Sequence, residues 1–66
     1  MPPKSLEQRL FGAACLRRQL ERRGVDVSQH PVYTGVLEDL ALQDEQVVQF
    51  LEAEGARVDE ALARGR

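Results

Sequence analysis

The chain has 66 residues, a formal net charge of −2, one cysteine and one histidine. One cysteine excludes an internal disulfide, and one Cys plus one His are too few for a structural zinc site, which usually has four such ligands. A domain of this size buries only about 60% of the surface that its unfolded chain exposes. We therefore expect well-packed helices or a partner chain to stabilise it.

The first predicted element is a long helix over residues 5–23, which follows a flexible tail over residues 1–4 with two prolines. Ser5 and Gln8 have the spacing of a capping box at the start of this helix. Gly24 is a typical left-handed residue after a helix end, so we predict a positive φ there.

Apolar residues cover much of the circumference of this first helix, more than we expect a small bundle to bury. This excess predicts a dimer or a partner contact through the helix, with Leu10 and Phe11 as candidate contact residues. Four arginines crowd its last turns, where positive charge suits the carbonyl end of a helix. Arg17 falls on the apolar stripe, which predicts a guanidinium over the core edge or at an interface. Arg17 and Arg18 are therefore candidate binding residues as well.

The second predicted helix covers residues 31–42 and begins at Pro31, because proline is favoured in the first helical position. Leu40 continues the stripe of Val32 and Val36, which predicts that it is buried. Leu42 falls off that stripe, so we predict that it is exposed.

A third helix is predicted over residues 44–54, with Asp44 as its N-cap and Gly55 as a positive-φ stop. A short fourth helix is predicted over residues 58–63. No strand alternation is seen. The sequence therefore predicts an all-α fold, a small bundle of three to four short helices that forms a single domain over residues 5–66.

The stretch Leu37–Leu62 resembles the ubiquitin-associated (UBA) domain. Val47, Val48 and Leu51 stand where the second helix of that family is apolar, and residues 58–62 match its last helix. The segment Leu40–Leu42 replaces the family's Met-Gly-Phe loop. The resemblance implies a three-helix unit after the long first helix, and ubiquitin as a possible partner bound through this loop and the end of the last helix.

No catalytic motif is present: the five glycines are too far apart for a phosphate loop, and nothing in the spacing pairs Cys15 with His30. We predict a non-catalytic adaptor, without metal or cofactor, that binds another protein or a second copy of itself. The predicted partner-binding residues are Leu10, Phe11, Arg17, Arg18, Leu40, Ala41, Leu42 and Leu62.

The alternative is a small regulator that contacts the transcription machinery or DNA through the arginine cluster 17–23. The acidic net charge disfavours nucleic acid as a partner, since dedicated nucleic-acid binders usually carry a basic excess. No apolar run reaches the roughly 20 residues that span a bilayer, and the N-terminus lacks the apolar core of a signal peptide. We therefore predict a soluble cytoplasmic protein with no membrane contact.

Overall fold

The computed structural model describes residues 5–65, so the predicted tail over residues 1–4 lies outside the described residues. Helix α1 covers Leu6–Arg22, α2 covers Pro31–Leu40 and α3 covers Asp44–Arg64. A single 3-10 turn, Val27–Gln29, lies between α1 and α2. No strand occurs in residues 5–65, and the predicted all-α fold is confirmed. Within the same range, no helix is both long and apolar enough to cross a membrane.

The start of α1 is fixed by the predicted capping box. The Ser5 hydroxyl accepts from the Gln8 amide at 3.2 Å, and the Gln8 side chain accepts from the Ser5 amide at 3.2 Å. Two amides that the helix itself leaves without a partner are thereby satisfied.

The end of α1 is a left-handed turn at Gly24, where φ is 75° as predicted. The Val25 amide donates to the Leu20 carbonyl at 3.1 Å, and the Gly24 amide donates to the Glu21 carbonyl at 3.0 Å. These two bonds define a Schellman motif, which satisfies carbonyls at the helix end and turns the chain back towards α1.

Helix α2 also ends in a left-handed turn, although the sequence has no glycine there to predict it. Ala41 takes the left-handed conformation with φ 57°, and the amides of Ala41 and Leu42 donate to the carbonyls of Glu38 and Leu37. The helix therefore ends at Leu40, two residues before the predicted end. The turn directs Leu42 into the core at 7% exposure, so the prediction that Leu42 is exposed is wrong.

Helix α3 consists of two helical segments that meet at a kink, close to the boundary we predicted between the third and fourth helices. Glu54, the last residue of the predicted third helix, has non-helical backbone angles, φ −123° and ψ 19°. Gly55 has no positive φ, so its predicted role as a left-handed stop is wrong. Asp44 is the first residue of α3 and not its N-cap, which is Gln43; the Gln43 amide donates to the Gln46 side chain at 2.9 Å.

The core lies between α1 and α3, with α2 packed across α1 and the 3-10 turn. Its ten buried side chains are apolar apart from one phenol: Ala13, Ala14, Leu20, Val27, Tyr33, Leu37, Leu42, Val47, Leu51 and Val58. Leu10, Phe11 and Leu16 pack against this core from α1, and Leu40 does so from α2. The apolar excess predicted for α1 is thus largely covered, and only Leu6 and Val32 remain as large exposed apolar residues in residues 5–65.

Candidate interaction surfaces

The junction of the three helices is held by a polar network around the Asp44 carboxylate. Arg17 Nε donates to Asp44 Oδ1 at 3.0 Å, and the Tyr33 hydroxyl donates to the same oxygen at 2.5 Å. Arg17 also pairs with Glu21 one turn further along α1. The Arg17 side chain is 15% exposed and Tyr33 is fully buried, so this network joins α1, α2 and the start of α3 from within.

Each member of this network stabilises the ionisation state that the others need. The hydrogen bond from Arg17 holds the pKa of Asp44 below its usual value, and the bond from Tyr33 adds to the effect against the opposing effect of burial. Burial raises the pKa of the Tyr33 phenol, and the neighbouring Asp44 carboxylate raises it further. Asp44 is therefore charged and Tyr33 neutral throughout the ordinary pH range.

A second polar contact joins α1 to the far half of α3. Arg18 Nε and Arg22 Nη2 each lie 3.1 Å from Asp59 Oδ1. A Cβ placed on Gly55 would lie 3.3 Å from Arg18 Nη2, so the absence of a side chain there gives the Arg18 guanidinium room against α3.

Arginines of the cluster thus form ion pairs that join α1 to α3. Arg17, Arg18 and Arg22 are all paired with carboxylates, whereas Arg23 is exposed and forms no ion pair with residues 5–65. The prediction that Arg17 lies over the core edge is confirmed, and its partner there is Asp44 of the same chain. Whether these residues also bind a partner stays a prediction.

Both phenylalanines of the chain lie outside the buried set, on the face shared by α1 and α3. The rings of Phe11 and Phe50 meet edge to face, with centroids 6.1 Å apart and planes at 82°. The Arg57 guanidinium lies 5.7 Å from the centre of the Phe11 ring, within cation–π distance. Arg57 is oriented by Glu54 at 2.8 Å and by Glu7 at 3.4 Å.

A shallow surface hollow lies beside Phe11. We call it the Phe11 notch; it is lined by Glu7, Gln8, Phe11 and Arg57. It combines an aromatic ring and an arginine, two residue types that are enriched in protein–protein interfaces, with polar neighbours.

The other predicted binding residues do not form one patch. Leu42 is buried, Leu40 is half-buried against the core, and Ala41 is exposed at the turn. The Leu40 carbonyl accepts from Arg9 at 2.8 Å, so this turn is attached to the first half of α1. Leu62 instead lines a hollow with Gln19, Arg22 and Arg23 at the end of α1.

Cys15 and His30 are the two residues that were considered as a reactive pair. Burial raises the pKa of the Cys15 thiol, which lowers the fraction of reactive thiolate at neutral pH. His30 stands at the N-cap of α2 and makes no capping bond through its side chain. Among residues 5–65, no three His, Cys, Asp or Glu side chains lie close enough together to hold a metal ion.

Sequence reasoning did not predict the contacts of Phe50, Arg57 and Tyr33. No local pattern places Phe50 or Arg57 of α3 beside Phe11 of α1. Tyr33 carried one usable signal: it is the only tyrosine, and a buried phenol needs a hydrogen-bond partner.

Comparison of the chain with protein-family models, with curated proteins and with solved structures gives no match. The described residues define a small three-helix all-α protein.

Proposed function

We propose that this chain is a small non-catalytic protein-binding module and that it docks through the Phe11 notch. The supporting observation is that the two phenylalanines of the chain are both half-buried at the edge of the core, where part of the Phe11 ring lines a surface hollow beside Arg57. Aromatic rings and arginine are enriched at the energetically important centres of interfaces, so Phe11 and Arg57 are the pair we expect to contact a partner.

The partner we expect is a protein that inserts an apolar side chain against the Phe11 ring. The Arg57 guanidinium beside that ring lies within ion-pair distance of Glu54 and Glu7. A folded partner surface and a short peptide can each supply the apolar side chain, and the size of the retained protein distinguishes the two.

The test is retention of cell proteins on the immobilised chain, with Phe11→Ala and Arg57→Ala compared with the unchanged chain. We expect at least one protein to be retained by the unchanged chain, lost with Phe11→Ala and retained in a smaller amount with Arg57→Ala. Val32→Ala is the matched control, because it removes an exposed apolar side chain from α2 on another face. Circular dichroism melts establish that each variant is folded. Retention that is indifferent to Phe11 and Arg57 would refute the notch as the binding site.

We also propose that residues 37–62 have a UBA-like arrangement. The kink at Glu54 supports this, because it divides α3 close to the boundary between the two helices that the resemblance implies. Ubiquitin is therefore one partner to test, by NMR titration of the labelled chain. Shifts at Ala41 and Leu62 would support ubiquitin binding, and their absence at millimolar ubiquitin would exclude it without affecting the Phe11 notch.

The nucleic-acid alternative receives no support from the geometry. A guanidinium that already pairs with a carboxylate must break that pair to reach a phosphate, and three of the four arginines in the cluster are so paired. A mobility shift with duplex DNA at low salt tests the alternative directly, and we expect no shift.

A further inference from the structure

Helix α2 has a side that the rest of the described chain covers only in part. We call it the α2 outer face; it consists of Val32 and Asp39, which are exposed, and of Gly35 and Val36, which are half-buried, Val36 against the core. These four residues recur at helical spacing. Val32 is 57% exposed, the largest exposed fraction among the bulky apolar side chains that the structure describes. Helix α2 packs against α1 and the 3-10 turn through its opposite side, where Tyr33 and Leu37 are buried.

Gly35 stands in the middle of this face without an intramolecular reason. Glycine inside a helix costs about 1 kcal/mol relative to alanine. A Cβ at Gly35 would meet nothing within 4 Å, so close packing inside the chain does not require the glycine. A glycine beside an exposed valine lets a second helix approach the backbone closely.

The two ends of the face have complementary electrostatics. The N-terminus of α2 carries the positive end of the helix dipole, and its N-cap, His30, supplies no side-chain acceptor for the free amides of the first turn. At the other end, the Asp39 carboxylate is exposed and makes no ion pair or hydrogen bond with residues 5–65. In an antiparallel pair of such helices, the unpaired carboxylate of one helix lies near the uncapped N-terminus of the other.

We propose that the chain forms a symmetric antiparallel dimer through the α2 outer face. The two-fold axis passes near Gly35, where the helices cross, and Val32 of each copy packs beside Gly35 and Val36 of the other. Asp39 of each copy then lies at the uncapped start of α2 in the second copy. This surface is separate from the Phe11 notch, so the dimer goes beyond the proposed function and does not depend on it.

The experiment is sedimentation equilibrium of the purified chain under reducing conditions, which prevents a disulfide through Cys15 from imitating the dimer. Helix α2 has only ten residues, so the contact area is small. We therefore expect a weak dimer with a dissociation constant of about 0.1 mM. Gly35→Ala should raise the melting temperature of the monomer, because alanine favours the helix, and weaken the dimer about tenfold by holding the helices apart. Gly12→Ala is the matched control: it also replaces a helical glycine with free space around it, and it should raise the melting temperature without changing the dimer.

A second pair of variants tests whether the Asp39 carboxylate contributes to the dimer. Asp39→Asn should weaken the dimer, whereas Glu38→Gln removes the same charge from an exposed neighbour outside the face and should leave the dimer unchanged. A chain that stays monomeric up to about 1 mM overturns the proposal. So does a dimer that is indifferent to Gly35→Ala, or one that is lost with Phe11→Ala, since that result would place the contact on α1. Loss of the dimer with Gly35→Ala while Phe11→Ala leaves it intact supports the proposal, whatever the retention experiment on the Phe11 notch shows.

Discussion

At the scale of single residues, the least expected feature is the left-handed backbone of Ala41. An L-residue with a side chain pays about 1–2 kcal/mol to take this conformation, and glycine does not. The turn satisfies two carbonyls at the end of α2 and places Leu42 in the core. The local strain at Ala41 is thus offset by the packing of its neighbour.

Replacing Ala41 with glycine should therefore stabilise the fold. We expect the free energy of unfolding to rise by about 0.5–1 kcal/mol, which is the relief of strain less the greater entropy of glycine in the unfolded chain. Urea denaturation measures the change. The same substitution at Ala63, a helical and exposed position, is the control and should destabilise instead. A loss of stability with Ala41→Gly would mean that residue 41 does not have a positive φ.

The pKa of Asp44 predicts how stability responds to acid. Because the folded protein holds this pKa below its unfolded value, the unfolded chain takes up the proton first as the pH falls. The stabilisation by Asp44 is therefore complete above the unfolded pKa of about 4 and is lost as the pH falls through the lower folded pKa. The Asp44 side chain is 45% exposed, so solvent screening limits the contribution to about 1 kcal/mol.

The measurement is the difference in unfolding free energy between pH 7 and pH 3, for the unchanged chain and for Asp44→Asn. The difference should shrink in Asp44→Asn by about 1 kcal/mol, because the residue no longer titrates. Asp39→Asn, whose carboxylate pairs with nothing in residues 5–65, should leave the difference as it is. An equal acid sensitivity in all three proteins would contradict the network around Asp44.

At the scale of elements, the sequence predicted those helix ends whose signals are local. The capping box at Ser5, the glycine after α1 and the proline at the start of α2 each act within a few residues, and each stands where it was expected. The end of α2 was misplaced because alanine is no stop signal. The break in α3 was predicted at nearly the right place, but it is a kink at Glu54 and not a left-handed turn at Gly55. The close approach of Arg18 to residue 55 comes from across the fold and has no local signal in the sequence.

Because Gly55 has no positive φ, its replacement should have the opposite effect to that expected at a left-handed stop. Gly55→Ala should be neutral or should stabilise the fold by up to about 1 kcal/mol, since alanine favours helical backbone and the only close atom belongs to the flexible end of Arg18. Gly24→Ala is the comparison: at its positive φ of 75°, it should destabilise by about 1 kcal/mol. Thermal melts of both variants measure this, and a destabilising Gly55→Ala would mean that residue 55 has a positive φ.

At the scale of the whole molecule, the residues that join the helices differ from those proposed to bind a partner. Arg17, Tyr33 and Asp44 fasten the three helices together, and these contacts join residues up to 27 positions apart. No local pattern encodes such pairings, which is why the sequence indicated Arg17 but not its partner. The Phe11 notch was predicted only in part: Phe11 follows from the apolar residues of α1, whereas Arg57 reaches the Phe11 ring only through the packing of α3 against α1.

The measurement that tests this division most directly is the affinity of Arg57→Ala for the protein that the unchanged chain retains. Isothermal titration calorimetry should show binding weakened about threefold or more, because the guanidinium over Phe11 is lost, while the melting temperature stays as it was. Arg17→Ala is the counterpart, and it should lower the melting temperature while leaving the affinity of the folded fraction intact. Unchanged affinity in Arg57→Ala, together with weakened binding in folded Arg17→Ala, would contradict the account and move the binding site to the arginine cluster.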